Sequence, residues 1–251
     1  MGPLDLIELP WAPPSAVRAA VVARGGGYST GPFAGANMSF QVGDHNDRVA
    51  HNRRLLQEAL ALPAPPQFLH QVHGAEVFDA GAVPTAPPTA DAAVLREPGA
   101  VAVLTADCLP VFFCDRSGQV AALAHAGWRG VLAGVLEAVV DRLAVPGDEL
   151  MACLGPGIAA HHFEVGDEVR EAFVAEDRRV TAHFERAGRR WLCDLYGLAR
   201  LRLKRAGVHD VAGGDNCTYC DRNRYFSYRR DGHTGRFASV IALRPPTPPS
   251  L

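Results

Sequence analysis

No run of this 251-residue sequence approaches the roughly 20 consecutive apolar residues of a bilayer-crossing helix, which excludes helical membrane-spanning classes. The opening Met1-Gly2-Pro3-Leu4-Asp5-Leu6-Ile7-Glu8 is acidic where a secretory signal is basic, so a cytoplasmic protein is expected. Charge of one sign is also missing. The 25 Lys+Arg against 27 Asp+Glu leave a net charge of -2, which offers no footprint for nucleic acid or an anionic membrane surface and points to a small-molecule partner. Six cysteines are too few for a disulfide scaffold in a chain of this length, so reduced thiols are expected, with one or two of them functional. Methionine is scarcer still, at Met1, Met38 and Met151, and no two of the ten histidines form a His-x-His pair. A copper oxidase of the laccase type therefore lacks both an obvious axial ligand and the paired imidazoles of a multinuclear cluster. No internal repeat is visible.

What is present is apolar residue: 48% of the chain, enough to bury a full core in one large domain. Residues 1–16 and 245–251 are proline-rich and read as tails flanking a single catalytic domain over 17–244. The patterning predicts strands over 19–23, 150–154, 180–184, 208–212 and 237–243. It predicts helices over 49–60, capped by Asn46 or Asp47, and over 130–144, 165–175 and 194–206. Residues 79–91, rich in Ala, Pro and Thr, read as a connection. Mixed strands and interspersed helices make the fold α/β or α+β.

Three further apolar runs each end on a polar side chain: His73 after residues 67–72, Cys108 after 101–107, and His125 after 119–124. Each reads as a buried strand with chemistry at its C-terminal end. Two imidazoles and a thiolate suit zinc in tetrahedral geometry, and a site with three protein ligands leaves one position open for water or substrate, the mark of a catalytic centre. Spacings of 35 and 17 residues match no zinc-finger pattern, so the fold would have to assemble the site. In a strand, Gln71 and His73 share a face while His70 and His73 do not.

Alternatives remain open at this level. The three residues can be core side chains; Cys108 can be a thiol nucleophile with His125 or His73 as base, Arg129 offsetting the charge of Asp107. His162-Phe163-Glu164 with Cys217-Thr218-Tyr219-Cys220 also imitates the zinc deaminase signature, but Asn216 stands where that signature has proline.

The segments Arg24-Gly25-Gly26-Gly27-Tyr28-Ser29-Thr30-Gly31-Pro32, Asn37-Met38-Ser39, His70-Gln71-Val72-His73-Gly74, Thr105-Ala106-Asp107-Cys108-Leu109-Pro110-Val111, His125-Ala126-Gly127-Trp128-Arg129-Gly130 and Phe226-Ser227-Tyr228-Arg229-Arg230-Asp231 together resemble the YfiH family. Its members are also known as laccase-domain or polyphenol-oxidase-like proteins, purine nucleoside phosphorylases and peptidoglycan editing factors. The resemblance implies a four-layer α/β/β/α sandwich with mixed sheets, like that of cytotoxic necrotizing factor. It implies Zn2+ on residues matching His73, Cys108 and His125, with copper the alternative cation. It further implies phosphorolysis of adenosine, inosine and methylthioadenosine, with adenosine deamination beside it. Copper-dependent phenol oxidation, and Cys108-based hydrolysis editing peptidoglycan precursors, are the alternative activities. His161-His162 depart from the family pattern, in which many members carry cysteines there.

Under that reading Asp107 and Glu164 are the candidate proton carriers beside Cys108. Phosphorolysis needs an anion pocket, for which Arg53, Arg129 and the backbone amides of Gly25 to Gly27 are candidates. Asn37, Gln71 and Tyr228 complete the expected substrate contacts, and Trp128 or Phe163 would stack on a purine.

Overall fold

Two strands set the centre of the molecule, because Leu109–Asp115 and Ala121–Ala126 are buried along their whole length. Side chains alternate along the first of them: Leu109, Val111 and Phe113 enter one core, Phe112 and Cys114 another. Both strands therefore lie between two apolar layers. The computed structural model describes residues 2–81 and 86–245.

The larger sheet runs in the order Asp210–Gly213, Leu150–Leu154, Leu109–Asp115, Ala121–Ala126, Ala92–Leu95, Val77–Ala80. Its central pairings are antiparallel and its two edge pairings parallel. A five-stranded sheet is ordered Leu6–Ile7, Val17–Val22, Phe237–Leu243, Gly99–Thr105, Gln67–Phe68, with only the last pairing parallel. The two sheets share a core in which Val101, Val103 and Ile241 of one meet Leu95, Phe112 and Leu123 of the other. On the outer face of the five-stranded sheet, Leu56 of helix Asn46–Ala59 packs with Met38, Val22 and Val240. The outer face of the six-stranded sheet is covered by helices Val135–Leu143 and Leu195–Arg205, through Val139, Leu143, Leu198 and Leu203. A small sheet, Glu164–Val165, Arg190–Cys193, Phe184–Ala187, flanks it. No helix of the described residues is long and apolar enough to cross a membrane.

Several local expectations are corrected. The helix read over 130–144 is two, Trp128–Leu132 and Val135–Leu143, because Gly134 sits at φ 85° in the left-handed region and breaks the hydrogen-bond ladder. The strand read over 180–184 is a 3-10 turn, Arg178–His183, in which the Asp177 carboxylate accepts from the Arg179 N–H; the strand begins at Phe184. The helix read over 49–60 starts at Asn46 with His45 as its cap, so Asn46 and Asp47 lie inside the first turn. The segment before residue 17, read as a tail, packs in part: Leu6–Ile7 pairs with Val21 and Val22, and the Trp11 ring lies 6.4 Å from Phe112. Of the C-terminal segment 245–251, only Pro245 is among the described residues.

Candidate metal centre and pocket

The three donors arrive from three kinds of backbone. His125 lies within the buried strand Ala121–Ala126, at 2% exposure. Cys108 occupies the turn between the sequence-adjacent strands Gly99–Thr105 and Leu109–Asp115, which belong to different sheets. His73 follows Gln67–Phe68 in an irregular segment, not at the end of a strand as its run suggested, so the face-sharing argument for Gln71 and His73 does not apply. Two strained residues shape these turns: His73 at φ 62° and Asp107 at φ 96° are non-glycine residues in the left-handed region.

One carboxylate organises the group. Asp91, fully buried, accepts from the backbone N–H groups of Val72 (3.1 Å), His73 (2.9 Å) and Gly74 (2.7 Å), and lies 2.8 Å from His125 Nδ1. Burial would raise its pKa, but the hydrogen bonds from His125 and from the Gly74 and Val72 N–H groups, with the charge on His125, hold it below the ordinary value. Because the Nδ1 edge of His125 faces Asp91, Nε2 is turned toward the other donors, the carboxylate–imidazole arrangement that fixes a metal ligand's orientation.

The donor atoms of His73, Cys108 and His125 all lie within 4.8 Å of one another, and Cys108 Sγ is 3.8 Å from His73 Nε2. Zinc bonds of about 2.0–2.3 Å at tetrahedral angles place ligand atoms about 3.5 Å apart, so the group fits that cation with small adjustments. Electrostatics favour the fit. Burial opposes the Cys108 thiolate, yet the His125 and His73 imidazoles bring its pKa down to about 6. Burial likewise opposes a charged His125, but the Cys108 thiolate and Asp91 raise it to about 9. A cation bound here takes the place of the His125 proton. Gly127 closes the floor: a Cβ on it would stand 2.8 Å from Cys108 Sγ.

The group opens into a cavity of about 440 Å³ bordered by Gln41, Gln71, Thr105, Tyr228 and Arg236. A recess of about 140 Å³ lies on the other side of Cys108, between Trp128, Ile158, Phe163 and Arg229. Ala106, Cys108 and Tyr228 border both. Thr105 is 1% exposed, and its hydroxyl has no partner among the described residues. Burial lowers the Arg236 pKa, partly offset by the charges of Cys108 and Asp107; its Nη1 donates to the carbonyls of Thr234 and Gly235.

The other expected site residues divide. Gln71 borders the cavity, but its amide donates to and accepts from the backbone of Leu104. Asn37 is fully buried and ties Ser39, Asp44 and Arg236 together beneath the cavity. Arg53 donates to the Met38 carbonyl and lies 3.6 Å over Phe68; burial lowers it to about 10, and it borders neither cavity. Arg129 is exposed, 4.3 Å over Trp128, and borders neither cavity. Asp107 borders the recess, but its oxygens accept from Thr218 Oγ1 (2.6 Å) and the Arg229 N–H (2.7 Å). Glu164 is exposed on its strand and borders neither cavity. In the Gly-rich segment the Gly27 N–H donates to the Gly2 carbonyl and the Tyr28 N–H to Asn52 Oδ1, and Gly25 to Gly27 border neither cavity. Asp91, Thr105 and Arg236 went unread in the sequence. Asp91 had one signal, a carboxylate directly before the apolar run Ala92–Leu95.

A model of the family described as multi-copper polyphenol oxidoreductase laccase matches residues 18–244. The Escherichia coli protein named purine nucleoside phosphorylase YfiH is 48% identical over 239 residues, 95% of this chain and 98% of that protein. The Pseudomonas aeruginosa protein named purine nucleoside phosphorylase PA4543 is 49% identical over 93% of this chain and 96% of its own length. Among solved structures, Neisseria meningitidis protein NMB0706 superposes with a TM-score of 0.92 at 43% identity, covering 97% of this chain and all of that one. YlmD from Geobacillus stearothermophilus superposes at 0.82 with 30% identity, over 92% and 93%.

Proposed function

Because this chain belongs to the YfiH family, we propose that it is a metal-dependent purine nucleoside phosphorylase acting on adenosine, inosine and methylthioadenosine at the His73–Cys108–His125 pocket. The observation that carries this reading is the convergence of the three donors, backed by Asp91, on the floor of a cavity within the size range of small-molecule sites. His73 Nε2, Cys108 Sγ and His125 Nε2 would hold Zn2+. The cation, when bound, supplies Lewis acidity at one open coordination position.

The purine fits the recess between Trp128 and Phe163, where aromatic faces and apolar walls favour a flat base. The ribose then crosses Cys108 into the larger cavity, where Arg236 and the unpaired Thr105 hydroxyl meet phosphate. In the reaction the bond from C1′ to the base nitrogen breaks and a bond from C1′ to a phosphate oxygen forms. The released base takes up the proton that monohydrogen phosphate brings. Arg236 holds the nucleophile close to C1′, and Tyr228, at 60% exposure over both cavities, covers the ribose from solvent.

Deamination of adenosine at the same pocket is the second activity of this reading, with Asp107, at the edge of the recess, as the nearer proton carrier. The test is incubation of metal-analysed protein with inosine, with and without phosphate. Hypoxanthine and ribose 1-phosphate form only with phosphate, and not with Cys108→Ser; absence of product from every purine nucleoside overturns the reading. Ammonia release from adenosine checks the second activity.

A further inference from the structure

A second group of soft donors lies outside the pocket. His161 stands in the 3-10 turn Ala160–His162, and Cys217 and Cys220 in a turn over 217–220. Their ligand atoms all lie within 4.8 Å of one another, with His161 Nε2 at 3.2 Å from Cys220 Sγ. Both cysteines are free thiols. The neighbouring His162 takes no part, since its ring stacks on Tyr219 at 4.0 Å.

The backbone around the group is arranged for sulfur. The Ala159 N–H donates to Cys217 Sγ at 3.4 Å, a contact that stabilises a thiolate. Gly157 and Cys217 form a parallel bridge, and the Thr218 N–H donates to the Gly157 carbonyl at 2.9 Å. Two turns far apart in sequence are thus pinned side by side with a Cys-x2-Cys pair on one and an imidazole on the other. Two thiolates and an imidazole are donors that zinc-class cations select.

We propose that His161, Cys217 and Cys220 form a second metal site for a zinc-class cation, which clips the turn over 217–220 to the segment 157–162. The reading is independent of the catalytic one. The site's exposed position leaves its fourth coordination place to solvent. Its consequence reaches the pocket through Thr218, whose hydroxyl donates to Asp107, and through the carbonyls of Thr218 and Tyr219, which both accept from Arg230 at 2.8 Å. Arg230 belongs to the short helix Tyr228–Asp231, so the clip positions both the turn before Cys108 and the helix bearing Tyr228.

The test compares wild type with His73→Ala, Cys217→Ser/Cys220→Ser and His161→Ala, each loaded with zinc, desalted and measured for metal content, with thiols counted in denaturant. The expected result is about two zinc equivalents per wild-type chain and about one in His73→Ala and in the double serine variant. His161→Ala, an exposed change that should leave folding intact, likewise holds about one equivalent. Cobalt-loaded His73→Ala retains a thiolate-to-cobalt absorption band. The proposal is overturned if wild type binds one equivalent that His73→Ala abolishes, or if Cys217 and Cys220 prove to be joined in a disulfide.

Discussion

The two His/Cys groups present the same donor types on opposite kinds of ground. In the first, His125 is 2% exposed within a buried strand and a fully buried carboxylate holds both its imidazole and the backbone carrying His73. In the second, two of three donors are exposed, all come from turns, and hydrogen bonds from backbone amides take the place of a carboxylate. Orientation is thus built into the first site before any cation arrives, whereas the second depends on two turns staying together. A group oriented by a buried carboxylate suits chemistry, and a group whose donors come from two turns suits holding those turns together.

The sharpest way to break this comparison is Asp91→Ala, which strands three backbone N–H groups and the His125 imidazole. It should cost about 3–5 kcal/mol in urea unfolding, as removal of one partner from a buried charged network does, while metal-free His161→Ala stays within about 0.5 kcal/mol of wild type. The acid limb of stability gives the next effect. A carboxyl held below its ordinary value contributes stability in full above the unfolded value of about 3.9, and loses it as the pH falls through the lower folded value. Acid unfolding of wild type should show that loss and Asp91→Asn should lack it, whereas His161→Ala should track wild type.

Gly127→Ala places a methyl against Cys108 Sγ and should cost about 1–3 kcal/mol and weaken zinc at the first site alone, seen by chelator competition. Arg236→Ala should raise the KM for phosphate about 10–100-fold, corresponding to about 1.5–3 kcal/mol for a lost charged hydrogen bond, with metal content unchanged. Arg129→Ala and Glu164→Gln, at exposed positions outside both cavities, should leave kcat/KM within about twofold.

The strands 150–154 and 237–243 and the helix over 194–206 were legible because their apolar periodicity reflects burial along the element itself. The split at Gly134 and the 3-10 turn at 178–183 were not, since a single left-handed residue and one side-chain cap decide each. At the site, the ligand types showed in the three runs, and Tyr228 borders both cavities. Arg53 and Arg129 carry the charge that phosphate binding asks for, yet one lies over Phe68 and the other on Trp128, while Arg236, seven residues beyond Arg229, borders the cavity.

By itself the sequence determined the mixed α/β composition and the donor types at positions 73, 108 and 125. Each of these depends on residue type and local period. Only the tertiary structure decided that Asp91 holds the first site, that Arg236 and Thr105 border its cavity, and that His161 meets Cys217 and Cys220. Those relations join residues 17 to 59 positions apart for the directly bonded pairs, a separation over which neither periodicity nor spacing carries information until the strands have paired and the turns have met.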